Sequence, residues 1–338
     1  MSDYDIFDAG DVRLQSGETF KGLKLAYKTY GVLNADKSNA ILYPTSFGAQ
    51  HLDTQWLVQE SAPLDPSRYF IIIPNMFGNG LSSSPGNTAH TPYGTSHFPL
   101  ISLSDNVHVQ HRLLSEVFGI RKLALVYGYS MGGQQALHWG ALYPDMVERL
   151  CAVCATAKTA AHTWVVFEGV KAALTGDPAF GERWFSAHPE RGLKAMGRVY
   201  AGWGFSQAFY RQGLYRQFGA KTLEEFLVSH WEARFTRRNG NDLLAMIATV
   251  QAADLGADPM FGGDLDAALQ RISARTLLMP SQTDFYFQVE DVRNEASQIA
   301  RAEVCPIPSV WGHRAGNPQS HEPDRQFIFG KLQQLLDS

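Results

Sequence analysis

The chain has 338 residues, of which 45% are hydrophobic and 18% are charged. A charged fraction below the roughly 25% of average soluble domains, together with this apolar content, excludes a disordered or fibrous chain. Lys and Arg number 29 and Asp and Glu 33, a net charge of −4, so the basic footprint of nucleic-acid-binding and membrane-surface proteins is absent. At about 150 residues per domain, the length fits one large domain with an insertion or two domains.

Signals for membrane insertion, export and disulfide bonding are weak. The longest apolar runs, 69–74 and 123–127, are far shorter than the roughly 20 residues that span a bilayer. The first ten residues are acidic and lack a charged-then-apolar leader, which predicts a cytoplasmic protein. Strand alternation would send the side chains of Cys151 and Cys154 to opposite faces, so we expect buried free thiols rather than a redox pair.

Short apolar runs alternate with helical patterns, which predicts an α/β fold whose mostly parallel sheet is covered by helices on both faces. The predicted strands are residues 41–44, 70–74, 123–127, 147–155, 276–279 and 303–307. The predicted helices are residues 104–118, 132–143, 289–300 and 323–336. From residue 156 to residue 265 the sequence has no strand pattern. Aromatic-rich helical stretches in this region predict an inserted cap. The predicted core therefore consists of residues 1–155 and 266–338, and the predicted helical cap of residues 156–265.

Gly128-Tyr129-Ser130-Met131-Gly132 matches the G-x-S-x-G pattern and lies between a predicted strand and a predicted helix, the context that this motif requires. A serine on so sharp a turn needs small residues two positions away, because larger side chains would collide with the neighbouring backbone. The start of the following helix also places partial positive charge where an oxyanion forms. The motif predicts a nucleophile at Ser130, the alternative being an ordinary serine in a glycine-rich turn.

A serine nucleophile needs a base and an acid that orients the base, and after a G-x-S-x-G turn they follow in the order acid, then histidine. Asp284 comes just after a predicted buried strand, and His313 follows the last predicted strand. The competing acid Asp291 falls inside a predicted helix, and His321 stands where it would start the last helix. A turn-capping role for Asp284 and a surface-loop position for His313 are the alternatives.

Eleven histidines raise the question of a metal site, above all at His108 and His111, whose spacing puts both side chains on one helix face. No third residue has a spacing that matches this pair. We therefore expect exposed polar side chains there, and we predict neither a metal nor a cofactor.

Longer motifs surround these positions: Asn75-Met76-Phe77-Gly78, Phe98-Pro99, Ser104-Asp105-Asn106-Val107, Gln110, Phe118-Gly119-Ile120, Ser130-Met131-Gly132-Gly133-Gln134-Gln135-Ala136-Leu137 and Tyr143-Pro144. With the downstream acid and histidine, they cover most of the chain, which resembles the homoserine O-acetyltransferases of the α/β-hydrolase fold and their esterase relatives. The resemblance implies Ser130 as acyl acceptor, His313 as general base and then acid, and Asp284 as its orienting partner. It also implies oxyanion donors on the backbone of Thr45 or Ser46 and of Met131. Pairing of cap helices in a symmetric homodimer is a further implication.

Three positions depart from that family where a homoserine acceptor would bind. The acetyltransferases carry Asp directly after the catalytic His, suited to the homoserine ammonium, whereas this chain has Arg314, which would repel it. Their cap carries an Arg that grips the homoserine carboxylate, and the alignment here offers Lys171, which lacks the bidentate fork. Tyr129 replaces a usual Gly beside the nucleophile and would narrow or reshape the acyl pocket. We expect Tyr129, Lys171 and Arg314 to contact the substrate.

An acyl-transfer site with altered acceptor residues predicts water as the acceptor. The sequence therefore predicts a serine carboxylic ester hydrolase that acts on small acyl esters, chiefly acetyl esters, through an acyl-enzyme intermediate. The alternatives are a homoserine O-acetyltransferase that uses acetyl-CoA and a non-catalytic ligand-binding protein of the same fold. The expected partner is a small-molecule ester, with neither nucleic acid nor membrane.

Overall fold

The computed structural model describes residues 2–88, 92–94, 97–319 and 321–338. Its strands are β1 (Asp5–Arg13), β2 (Thr19–Tyr30), β3 (Ala40–Leu42), β4 (Phe70–Pro74), β5 (Leu125–Tyr129), β6 (Arg149–Val153), β7 (Arg275–Met279) and β8 (Ala302–Val304). They form one sheet in the order β1-β2-β4-β3-β5-β6-β7-β8. The β1–β2 and β2–β4 pairs are antiparallel, and the pairs from β4 to β8 are parallel.

The helices of the core cover both faces of this sheet. They are α1 (Leu103–Arg112, continued to Phe118), α2 (Met131–Leu142), α9 (Leu265–Gln270), α10 (Val289–Ala296) and α11 (Glu322–Leu336). Neighbouring side chains of β3 enter different apolar clusters: Ile41 packs in the cluster that includes α11, and Leu42 packs in the cluster that includes α1, α2, α9 and α10. The predicted α/β architecture, a mostly parallel sheet with helices on both faces, is confirmed.

Between β6 and β7 the described chain forms helices and adds no strand to the sheet. The α-helices of this region that precede α9 are α3 (Ala161–Thr175), α4 (Glu190–Gly204), α5 (Gln207–Arg211), α6 (Leu223–Phe226), α7 (Ala233–Thr236) and α8 (Gly240–Gln251). The chain enters and leaves this region side by side, since Thr159 N–H donates to Ala253 O and Leu255 N–H donates to Ala157 O. We propose residues 156–265 as the cap, as the sequence predicts. Within the described residues, no helix is long and apolar enough to cross a membrane.

Several boundaries differ from the sequence-based expectations. No strand was predicted at residues 5–30, yet β1 and β2 form an antiparallel hairpin with irregular register around Gly10. The strand predicted at 123–127 is β5, two residues later, because Leu123 makes only an isolated bridge to Val147. The strand predicted at 303–307 ends at Val304, since proline at 306 and 308 removes ladder donors. The helix predicted at 289–300 ends at Ala296.

The two cysteines near the end of β6 are buried and free, as predicted. The expectation that they point to opposite faces is wrong, because both pack in the same apolar cluster, the one that includes α11. Cys154 lies one residue beyond β6 and adopts a positive φ of 48°, so strand alternation no longer sets its direction.

Candidate active site

Ser130 lies at the sharp turn between β5 and α2, with φ 55° and ψ −128°. This backbone conformation is costly for a residue with a side chain and is typical of strained functional turns. Neighbouring glycines make the turn possible: a Cβ on Gly128 would lie 2.0 Å from Gly132 O, and a Cβ on Gly132 would lie 2.5 Å from Pro44 O. The backbone therefore presents the Ser130 hydroxyl at the carboxyl edge of the sheet.

Asp284 and His313 lie in the loops that follow β7 and β8, and both reach toward Ser130. His313 Nδ1 lies 2.7 Å from Asp284 Oδ2, and His313 Nε2 lies 2.9 Å from Ser130 Oγ. Because an ionised carboxylate only accepts hydrogen bonds, Nδ1 carries the proton and Nε2 is free to accept from the serine hydroxyl. The three side chains are buried and form one hydrogen-bonded chain. The structure brings together the three residues that the sequence selected.

The competing acid and histidine lie elsewhere. Asp291 is on α10, where partial burial and the negative charge of Glu290 raise its pKa. His321 Nδ1 lies 2.9 Å from Asp324 Oδ2, and its ring stacks on Trp311. His321 therefore braces the start of α11 and makes no contact with Ser130.

The backbone after β3 and after Ser130 supplies two candidate oxyanion donors. Thr45 N–H already donates to Pro74 O at 3.2 Å, and Thr45 Oγ1 accepts from Met76 N–H. Of the two residues that the sequence left open, Ser46 lines a cavity with Ser130 and Thr45 does not, so Ser46 is the candidate that the structure favours. Within the described chain, neither Ser46 N–H nor Met131 N–H donates to a protein acceptor.

A narrow cavity lies above Ser130, between the sheet edge and the cap. It is lined by Ser46, Phe47, Tyr129, Ser130, Tyr200, Trp231, Arg234, Phe235, His313 and Arg314. Tyr129 forms part of the wall as expected, and its hydroxyl donates to the backbone oxygen of His313 at 3.1 Å. Aromatic side chains make up half of this lining, so the space beside the nucleophile is narrow.

Lys171 does not reach this cavity, so its prediction as a substrate contact is corrected. Its ammonium pairs with Glu168 at 2.7 Å on the outer side of α3. The cap cation that lines the cavity is Arg234, which the sequence analysis missed. A usable signal was present, since Trp231, Arg234 and Phe235 have the i, i+3, i+4 spacing of one helix face.

Two guanidinium groups, those of Arg234 and Arg314, line the cavity. In the described part of the chain no acidic side chain lies within ion-pair distance of either group; the nearby Asp53 pairs with Arg237 and Arg238. Burial, and then the positive charge of Arg314, lower the pKa of Arg234 to about 10. The cavity is therefore electropositive and unfavourable for a cationic ligand.

One group of side chains has the atoms that could hold a metal. Among the described residues, metal-ligating atoms of Cys154, Asp284 and His313 lie within 4.8 Å of one another. Both ring nitrogens of His313 are already engaged by Asp284 and Ser130, so a metal there would break the hydrogen-bonded chain. His108 contacts the Tyr143 hydroxyl and His111 stacks on the Tyr143 ring, and both are partly buried rather than exposed as expected.

The chain is similar to known proteins in both sequence and structure. Residues 41–306 match the family model of the alpha/beta hydrolase fold. The chain belongs to this family. It is 37% identical to the ethyl acetate hydrolase of Pseudomonas veronii over 99% of this chain and 92% of that protein. The structure of an acetylester hydrolase from Corynebacterium glutamicum superposes with a TM-score of 0.95 at 36% sequence identity. The match covers 99% of this chain and 96% of that hydrolase chain.

The homoserine O-acetyltransferase of Zymomonas mobilis is also similar, at 31% identity over 93% of this chain and 90% of that protein. This α/β hydrolase is therefore an esterase-like member of the group that contains the acetyltransferases. The resemblance stated from the sequence motifs is confirmed.

Proposed function

We propose that this α/β hydrolase is a serine carboxylic ester hydrolase that acts on small acyl esters, chiefly acetyl esters. The observation that carries the proposal is the buried chain of hydrogen bonds from Asp284 through His313 to Ser130, which opens into a narrow cavity. Similarity to an ethyl acetate hydrolase and to an acetylester hydrolase supports the acetyl preference.

In the proposed acylation step, Ser130 Oγ attacks the ester carbonyl while His313 Nε2 takes the hydroxyl proton. The Ser46 and Met131 N–H groups stabilise the oxyanion of the tetrahedral intermediate. The imidazolium then returns its proton to the alcohol oxygen as the ester C–O bond breaks, which leaves an acyl-Ser130. Water then attacks the acyl group and gives a proton to His313, which passes it to Ser130 Oγ as the acyl C–O bond breaks and the carboxylic acid leaves. Activity therefore requires neutral His313 and falls at low pH.

The positive charge of the cavity supports water rather than homoserine as the acyl acceptor. A homoserine ammonium would lie among the guanidinium groups of Arg234 and Arg314 without an acidic partner in the described structure. An unpaired charge in such a site costs several kcal/mol. The alternative, acetyl transfer from acetyl-CoA to homoserine, draws on the similarity to the Zymomonas mobilis enzyme. A ligand-binding protein without catalysis is opposed by the complete hydrogen-bonded chain.

We also propose a cytoplasmic homodimer that pairs through the cap. Trp164 and Val165 are large apolar side chains that α3 exposes on the outer side of the cap, and this surface supports the proposal. Sedimentation analysis should give twice the monomer mass at micromolar concentration, and the Trp164→Lys variant should have the mass of the monomer. The cytoplasmic location stays a prediction from the sequence.

The test of the proposed function is to trap the acyl-enzyme. Brief reaction with p-nitrophenyl acetate, followed by an acid quench, should add the mass of one acetyl group, and peptide mapping should place it on Ser130. The Ser130→Ala variant should acquire no acetyl group and release no burst of nitrophenol. Hydrolysis by the wild-type protein that never labels Ser130, or that survives in Ser130→Ala, would overturn the proposed function.

A further inference from the structure

Cys154 occupies an unusual position at the carboxyl edge of the sheet. It is the first residue after β6, between the turn that carries Ser130 and the loop that carries Asp284. Its side chain is completely buried, and its φ of 48° is a conformation that residues other than glycine seldom adopt. Its N–H donates to Met279 O at 3.0 Å, which fixes this strained backbone against the end of β7.

The strained backbone brings the thiol to the acid and base of the site. Cys154 Sγ, a carboxylate oxygen of Asp284 and a ring nitrogen of His313 all lie within 4.8 Å of one another. The loop of His313 packs directly on the sulfur, since a Cβ on Gly316 would lie 2.7 Å from Sγ.

The buried carboxylate of Asp284 needs donors to hold its charge. His313 Nδ1–H donates to Oδ2 at 2.7 Å, and Tyr286 N–H donates to Oδ1 at 2.8 Å. A carboxylate accepts more than two hydrogen bonds, and the neighbouring thiol is a weak donor. Burial, and then the negative charge of Asp284, raise the pKa of the Cys154 thiol well above its usual range, so the thiol keeps its proton.

We propose that Cys154 is a positioning residue whose S–H donates to Asp284 and holds that carboxylate in line with His313. The proposal rests on the proposed function of the Ser130 site. A third donor withdraws negative charge from the carboxylate and so limits how strongly it stabilises the imidazolium form of His313. Loss of the S–H would favour the imidazolium, which cannot accept the proton of Ser130. The acid limb of the pH–rate profile should then move to higher pH.

The test compares three variants by their pH–rate profiles under single-turnover acylation. Cys154→Ala removes the donor and should move the acid limb upward by several tenths of a pH unit and slow acylation several-fold. Cys154→Ser keeps a donor and should return the acid limb to the wild-type position or below it. Cys151→Ala is the matched control: it also removes a fully buried thiol in the same apolar cluster, but away from Asp284, and should leave the acid limb in place.

Other titratable or charged groups face this site and are the same in all variants: Tyr129, Tyr200, Tyr286, Arg234, Arg314 and Asp324. The proposal is overturned if Cys154→Ala keeps the wild-type limb, or if Cys154→Ser shifts it upward as Cys154→Ala does. If Cys154→Ala does not fold, two measurements on Cys154→Ser decide whether the proposal holds: its pH–rate profile and the downfield NMR resonance of its His313 Nδ1 proton. Failure of the proposed function is distinguished by activity that persists in Ser130→Ala.

Discussion

Ser130 and His313, in the hydrogen-bonded chain at the carboxyl edge of the sheet, depend on each other. Ser130 Oγ has no basic neighbour other than His313 within hydrogen-bond reach in the described structure. Ser130→Ala and His313→Ala should each lower kcat for a short acetate ester by several orders of magnitude. The double variant should be little worse than either single variant, because the two side chains act as a unit. Steady-state kinetics of the three proteins check this, and additive losses would indicate a second base.

The acid can be tested by a matched pair of substitutions. Asp284→Asn should preserve the fold but leave His313 with the wrong tautomer and no anionic partner. We expect a loss of up to about 10⁴ in kcat, as in the serine proteases. Asp291→Asn changes the nearest competing acid, on α10, and should keep kcat within a factor of two. Both are measured with the same ester, alongside thermal unfolding. A damaging Asp291→Asn and a harmless Asp284→Asn would show that the acid is misassigned.

The three hydrogen-bonded residues Ser130, Asp284 and His313 could be predicted from the sequence, because each follows a strand of a parallel sheet. The carboxyl ends of such strands lie at one edge of the sheet. The order of the residues and their positions after the strands are therefore enough to predict that they lie together. The choice of Ser46 over Thr45 could not be predicted, because it depends on one hydrogen bond from Thr45 N–H to Pro74 O. Arg234 escaped detection because cap helices meet the core through contacts distant in sequence.

The turn between β5 and α2 depends on contact distances that only glycine permits. In Gly128→Ala the new methyl group would lie 2.0 Å from Gly132 O, a backbone atom that cannot move without displacing Ser130. We expect a loss of about 3 kcal/mol or more in the free energy of unfolding, together with loss of activity. Urea unfolding measures the change in the free energy of unfolding.

A second glycine serves as the control for this substitution. Gly169 lies on α3, and a Cβ there would meet no atom within 4 Å. Gly169→Ala should therefore stabilise the protein by about 0.5 to 1 kcal/mol, the difference in helix propensity. Equal effects of the two substitutions would contradict the role assigned to the turn.

The entry into the cap is attached to α10 by a partly buried carboxylate. Glu295 accepts from the N–H groups of Ala157 at 2.6 Å and Lys158 at 3.2 Å, and burial raises its pKa to about 7. An unfolded glutamate titrates near pH 4.3, so between about pH 4.5 and 7 the folded chain holds a proton that the unfolded chain has lost. The contribution of this group to stability is therefore greatest at low pH and falls as pH rises through 7.

Glu295→Gln should flatten that pH dependence. We expect the change in the free energy of unfolding between about pH 5 and pH 8 to be smaller than in the wild type by about 1 to 3 kcal/mol. Urea unfolding at the two pH values provides the measurement. Glu290→Gln, on the exposed side of the same helix, should keep the wild-type slope. An unchanged slope in Glu295→Gln would mean that the carboxyl titrates alike in the folded and unfolded chains.

At the scale of the whole molecule, the sequence predicted the parallel half of the sheet better than the antiparallel edge. Strands such as β4 are continuous apolar runs because both faces are covered, and they stand out in any sequence. The β1–β2 hairpin has polar and exposed positions, and its register shifts near Gly10 interrupt the alternation that would have marked it. The cap could be located only as a region without strand patterns, because its helices follow no motif.

The central claim is that water, rather than an amino acid, receives the acyl group from Ser130. The most direct measurement is a side-by-side comparison of two reactions of the wild-type protein: hydrolysis of ethyl acetate, and acetyl transfer from acetyl-CoA to homoserine. We predict turnover of ethyl acetate, and neither O-acetylhomoserine nor faster deacylation when millimolar homoserine is added, because Arg234 and Arg314 repel the ammonium. Acetylation of homoserine from acetyl-CoA that is faster than hydrolysis of ethyl acetate would contradict the claim.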